Sequence, residues 1–147
     1  MSVLLVMLAA LFIVRFNGAN RATPSGVVSS PSPQCRKGDP IAGVYNPLRF
    51  RVLVNCQLAS GVVKSVTRQP DGDQRIGVGL DSQYLSLLNA GNTNYQNRLL
   101  ALELTLQDQS TVLLPAVGQH VRFVGPLVYD IENQWNAVYP VWSIQDD

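Results

Sequence analysis

The stretch GVVKSVTRQPDGDQRIGVGL, Gly61 to Leu80, decides the fold class. Gly61 to Arg68 is rich in β-branched side chains, and Pro70-Asp71-Gly72-Asp73 gathers residues that tolerate turn dihedrals. Arg75 to Leu80 then resumes with Ile76, Val78 and Leu80 on one face. Two strands joined by a turn make a hairpin. On the opposite face of the second strand, Gly77 and Gly79 remove side chains, which permits the coiling a small barrel needs or the close approach of another backbone.

Downstream, Asp81-Ser82 offers an N-cap, Tyr84, Leu85, Leu87 and Leu88 an apolar stripe, and Asn89-Ala90-Gly91 a stop, so a short helix is expected. The polar run Asn92 to Asn97 reads as loop. A strand over Leu99 to Leu106 follows, with Leu100, Leu102, Leu104 and Leu106 inward and Glu103 and Thr105 outward. The next strand spans Val117 to Asp130, with Val121 and Phe123 buried and Gly125-Pro126 breaking its ladder at a bulge or edge. The last, Asn136 to Ile144, contains Val138, Val141, Trp142 and Ile144.

This pattern predicts an all-β domain over residues 35–147: a small five-stranded OB-like barrel with one short helix, the alternative being a small β-sandwich. The helix falls between the second and third strands, whereas the usual OB position is between the third and fourth.

Upstream, an apolar run from Val3 to Val14 precedes a Ser/Pro/Gly-rich stretch, Thr23 to Pro33. The run is about a dozen residues, short of the roughly 20 that span a bilayer as a helix and typical of a signal-peptide core. Residues 1–22 are therefore read as a signal peptide or membrane anchor and 23–34 as a linker, which places the domain outside the cytoplasm. If the leader stays uncleaved, residues 3–14 tether the protein to a membrane. No basic residue precedes the run and no clean cleavage site follows it, as if the true start lay upstream. Cys35 lacks a preceding lipobox-like Leu-x-Gly/Ala, which speaks against a lipid anchor there.

Cys35 and Cys56 are the only cysteines. In an exported chain an even number favours a disulfide, here closing a loop of roughly 20 residues and contributing about 3 kcal/mol. Two free buried thiols are the other possibility. A two-cysteine zinc site fits less well, because the one histidine, His120, lies far along the chain.

Several segments together resemble a family of small, exported, OB-like prokaryotic domains of unassigned function. They are Cys35-Arg36-Lys37-Gly38-Asp39-Pro40, Val44-Tyr45-Asn46-Pro47, Asp71-Gly72-Asp73, Tyr84 to Leu88, Val117-Gly118-Gln119-His120-Val121 and Pro140-Val141-Trp142. The resemblance implies an OB-like fold over Cys35 to Ile144. It also implies a DGDxH turn and an HGWxEIHP strand. Here Arg75 replaces the first histidine, and Asn133, Ala137 and Tyr139 stand where His, Glu and His would be; only Trp135 and Pro140 remain of the second motif. Any metal-binding or catalytic role of those positions is lost in this copy.

The chemistry-bearing residues are few. His120 lies in the alternating stretch Gln119-His120-Val121-Arg122-Phe123 and reads as a solvated strand residue, with no base beside a nucleophile. Asp71 and Asp73 are first turn residues, before any cation site, and Asp130 and Glu132 precede another turn. No Gly-rich phosphate loop, HExxH or GxSxG motif occurs, so no catalytic residue, metal or cofactor is assigned.

Of 11 Lys and Arg, Arg15 and Arg21 lie in the leader region, leaving the domain near neutral against 10 Asp and Glu and without a strongly basic nucleic-acid footprint. What remains is a candidate binding face. Lys64 and Arg68 share one face of the first strand at even spacing, Arg75 opens the second, and Trp135, Tyr139 and Trp142 supply aromatics near the last. Cations interleaved with aromatic platforms suit single-stranded nucleic acid or oligosaccharide. Tyr139 and Trp142 differ by an odd number of positions, so at least one is core; Lys64, Arg68, Arg75, Trp135 and Tyr139 are the candidate ligand residues. Three functions are open: a non-catalytic module binding a protein, glycan or nucleic acid; a degenerate hydrolase or nuclease; and a structural envelope domain.

Overall fold

A computed structural model describes residues 32–147. The apolar run and the linker up to residue 31 lie outside the described residues. Among the described residues, no helix is long and apolar enough to cross a membrane.

Six strands form one sheet: β1 (Phe50–Arg68), β2 (Gln74–Leu80), β3 (Leu100–Leu104), β4 (His120–Asp130), β5 (Asn136–Val138) and β6 (Ser143–Asp146). The first hairpin is as expected, with Arg68 opposite Gln74 and Gly61 opposite Leu80. Gly72 sits at its turn with φ of +94°, a conformation that favours glycine. β1, however, begins at Phe50, well before Gly61. It is long because its two halves serve different neighbours: Gly61–Arg68 pairs with β2, while Phe50–Val62 pairs with β4. The sheet therefore closes on itself. Its pairings run β1-β2-β3-β5-β4 and back to β1, a ring of five strands in which only the β3–β5 pair is parallel. β6 adds to β4 beside the ring.

Two expected elements are corrected and one is borne out. The strand over Asn136 to Ile144 is two strands, β5 and β6, separated by a turn through the cis Tyr139–Pro140 bond. Gly125-Pro126 breaks the ladder at a bulge, as expected: β4 continues through it, but its register with β1 shifts between Val54 and Gln57, where Pro126 has no N–H to donate. The helix over Tyr84 to Leu88 is a 3-10 turn, Ser82–Leu87, and the α-helix, α1 (Ala90–Tyr95), falls on the run read as loop. Polarity hid α1. Its N-terminus is held by a capping box between Asn89 and Asn92, each side chain accepting the other's backbone N–H.

Inside the ring, Val63, Ile76, Val78, Leu100, Leu102, Leu104, Val121 and Phe123 form the main core. Ala101 and Glu103 alternate with those leucines and face outward. They are nonetheless buried, because a second apolar cluster covers them: Val44 packs with Ala101, Val128, Ala137 and Tyr139, flanked by Ile41, Phe50 and Val52. Leu106, expected inward, lies past the end of β3 and is exposed. The covering segment, residues 35–49, is fastened at several points. Cys35 is disulfide-bonded to Cys56, Arg36 pairs with Asp108 at 2.8 Å and lies over the Trp142 ring, and Arg49 pairs with Asp130. Trp142 is core, as one of the two late aromatics had to be.

Candidate functional site

The turn between β1 and β2, the turn between β4 and β5, and the covering segment meet over the outward face of β2 and β3. They enclose a cleft of about 640 Å³. Asp71 and Asp73 come from the first turn, Trp135 from the second, Tyr45, Arg49 and Phe50 from the covering segment and the start of β1, and Arg75 and Glu103 from the sheet. Arg75 and Glu103 are direct cross-strand neighbours, so their pairing follows from register.

Each charged group in the wall has a partner. The Arg75 Nε donates to Glu103 Oε1 at 2.5 Å, and its guanidinium lies over the Trp135 ring, 5.9 Å from the centroid. Arg49 Nε donates to Asp130 Oδ1 at 2.9 Å, and its guanidinium lies over Phe50. The Tyr139 hydroxyl donates to Asp73 Oδ2 at 2.7 Å, and the ring meets Phe50 edge-on at 5.1 Å. Asp73 Oδ1 accepts the Leu106 N–H at 2.9 Å, and Asp71 accepts the Asp73 N–H at 3.0 Å in the Asx geometry expected of the turn.

Burial decides the electrostatics of Glu103. Only 6% of the residue is exposed, and desolvation pushes its carboxyl up to about 7 against the pull of Arg75, with Asp73 and Asp71 adding to the rise. Burial likewise raises Tyr139, helped by its bond to Asp73, so its phenol stays neutral. For Asp130, burial opposes ionisation, but the bonds from Arg49 and from Asn133 outweigh it and hold the carboxyl below its ordinary value. The cleft wall carries two guanidiniums, Arg49 and Arg75, against four carboxylates, Asp71, Asp73, Glu103 and Asp130.

Three candidate residues, Arg75, Trp135 and Tyr139, come together here. Lys64 and Arg68 are exposed but outside the cleft wall. Their even spacing does not place them together, because the β1–β2 register shifts between Val63 and Ser65, at Lys64 itself, and reverses which side chains face out. Of the four positions where the resembled family has histidine or glutamate, Arg75, Ala137 and Tyr139 line the cleft, and Asn133 donates to Asp130 Oδ2 at 2.8 Å.

Sequence reading missed Tyr45, Arg49, Phe50, Glu103 and Asp130, and it missed what positions Trp135. A Cβ on Gly91 would overlap the Gln134 carbonyl, so α1 packs directly on the backbone carrying Trp135. Beside it the Asn92 amide donates to the Asn136 carbonyl at 2.9 Å and its oxygen accepts the Asn136 N–H at 3.0 Å, fixing the start of β5.

His120 lies elsewhere, half-buried beside the first 3-10 turn after β2. Its Nε2 is 3.0 Å from Asp81 Oδ1, and Ser60 Oγ donates to Asp81 Oδ2. The carboxylate thus stands between hydroxyl and imidazole, the reverse of what a serine nucleophile needs. Among the described residues, no three His, Cys, Asp or Glu side chains are grouped to hold a metal ion.

No protein-family model matches the sequence, and no curated protein matches it.

Proposed function

We propose that this protein is an exported, non-catalytic module that binds a saccharide in the Trp135 cleft, on a ring of OB-barrel type. The closure order, with one parallel pair between β3 and β5, supports that architecture. The cleft lies on the strand 2–3 face between the loops that such barrels use for oligosaccharides and oligonucleotides. The Cys35–Cys56 bond supports export, since disulfides persist in oxidising compartments. A leader over residues 1–22 would deliver the domain there, tethered through residues 3–14 if uncleaved.

The observation that carries the ligand class is the charge pattern of an aromatic cleft. A phosphate polymer needs surplus cations, and here both guanidiniums are already paired and carboxylates outnumber them. A flat protein interface is not suggested by a concave site of this volume. Paired planar groups, a tyrosine hydroxyl and a tryptophan face instead suit a neutral ligand rich in hydroxyls, which stacks its apolar ring face and exchanges hydrogen bonds around its edge. The test is a titration of the full chain with a panel of neutral oligosaccharides and with single-stranded DNA, each at low and high salt. Salt-insensitive saccharide binding, lost in Trp135→Ala, is expected. Binding of DNA alone, weakening steeply with salt, would overturn the reading.

A second reading, a carboxylate-dependent hydrolase, is favoured by one feature: Glu103 with its carboxyl near 7 shares the cleft with Asp71 and Asp73. Against it, Glu103 already bonds Arg75, and both Asp73 oxygens are engaged. Release of reducing ends from any saccharide bound by the wild type, absent in Glu103→Gln, would establish it.

A further inference from the structure

The Trp135 cleft does not end at its own wall. A second cavity of about 520 Å³ adjoins it, walled by Gly43, Val44, Thr105, Leu106 and Gln107. The two share Tyr45, Asp71 and Asp73. Asp73 is the common floor, with one carboxylate oxygen bonded to Tyr139 beside the first cavity and the other to the Leu106 N–H beside the second. Tyr45 is the common rim: 72% of it is exposed, its backbone N–H donates to the Tyr139 hydroxyl, and it lines both cavities. Gln107 is exposed at the far side, its amide lying against Gly43, whose φ of +82° and missing Cβ leave room for it.

Each cavity alone falls within the roughly 300–1,000 Å³ typical of small-ligand sites. A compact ligand filling the first would leave the exposed Gln107 amide of the second without a use. Resting on the saccharide reading above, the geometry points to a chain ligand: an oligosaccharide lies along both cavities, with one subsite at Trp135 and Arg75 and a second at Tyr45 and Gln107. The ring of Tyr45 stacks on the unit that crosses the rim, and the Gln107 amide, acting as both donor and acceptor, serves the hydroxyls of the next.

The experiment is calorimetric titration of the full-length chain with cello-, malto-, manno- and chito-oligosaccharides of graded length, from single sugars to hexamers. For the series that binds, the dissociation constant is expected to fall by about tenfold or more from short to long members. Gln107→Ala, at an exposed position that leaves the core intact, removes that gain while short members bind as to the wild type; Tyr45→Ala, on the rim the two cavities share, removes the gain and also weakens short members. Trp135→Ala weakens short and long members alike. Length-independent binding, or a length gain that survives both Tyr45→Ala and Gln107→Ala, overturns the second subsite and leaves the saccharide reading standing. Failure of every series to bind overturns both.

Discussion

Replacing Glu103 by Gln tests whether burial or Arg75 governs the cleft. In the folded protein the carboxyl sits near 7 rather than at its ordinary value of 4.5, because desolvation outweighs the guanidinium beside it. At 1.36 kcal/mol per pH unit, that displacement corresponds to about 3 kcal/mol. Its sign follows from proton binding. Between about 4.5 and 7 the folded state holds a proton on Glu103 that the unfolded state has released, so this contribution is fully present below pH 4.5 and is lost as pH rises to 7. His120 titrates from the upper part of the same range, so the comparison must be between wild type and Glu103→Gln under matched conditions. Urea unfolding with the disulfide intact, followed by tryptophan fluorescence and extrapolated to water, gives both stabilities. The variant should gain on the wild type by about 3 kcal/mol between pH 4.5 and pH 7.5, with little further change above. A difference that stays constant across that range would refute the reasoning and show that the Arg75 pair holds Glu103 ionised at its ordinary value.

Other consequences are open to simpler measurements. Converting Cys35 and Cys56 together to Ser should cost about 3 kcal/mol and lower the melting temperature by roughly 10 °C in calorimetry; an unchanged melting temperature would mean that the bond adds nothing to the covering segment's other fastenings. Gly91→Ala should cost about 1–3 kcal/mol in urea unfolding and also weaken saccharide binding, because the added methyl displaces the backbone of Gln134 and Trp135. Loss of stability without loss of binding would separate α1 from the cleft. The His120 imidazole, bonded to Asp81, should titrate above its ordinary 6.5 in an NMR pH series, and Asp81→Asn should lower it. The stability it adds is present at low pH and lost as pH rises through that raised value.

The hairpin Gly61 to Leu80 was legible because everything that makes it is local: β-branched strands, an Asx turn and a glycine at positive φ. The first half of β1 was not, since its register with β4 shifts twice between Val52 and Gln57. Alternation also placed Glu103 and Thr105 in solvent, and only the covering segment, fastened by a disulfide and two ion pairs distant in sequence, buries that face. For the same reason half of the site was hidden. Arg75 and Trp135 lie next to recognisable turns, whereas Arg49 reaches Asp130 across 81 residues and Glu103 reaches Arg75 across 28. Lys64 was misassigned by a bulge that no propensity announces.

The two tryptophans allow the most direct test of the saccharide cleft. Trp135 lines it and Trp142 is buried in the core, so the indole N–H resonances of the full chain report on each separately. Adding a neutral oligosaccharide should move the Trp135 resonance, to the same extent at low and high salt, and leave that of Trp142 in place. A Trp135 resonance that no saccharide moves, or that only single-stranded DNA moves, would contradict the proposed function.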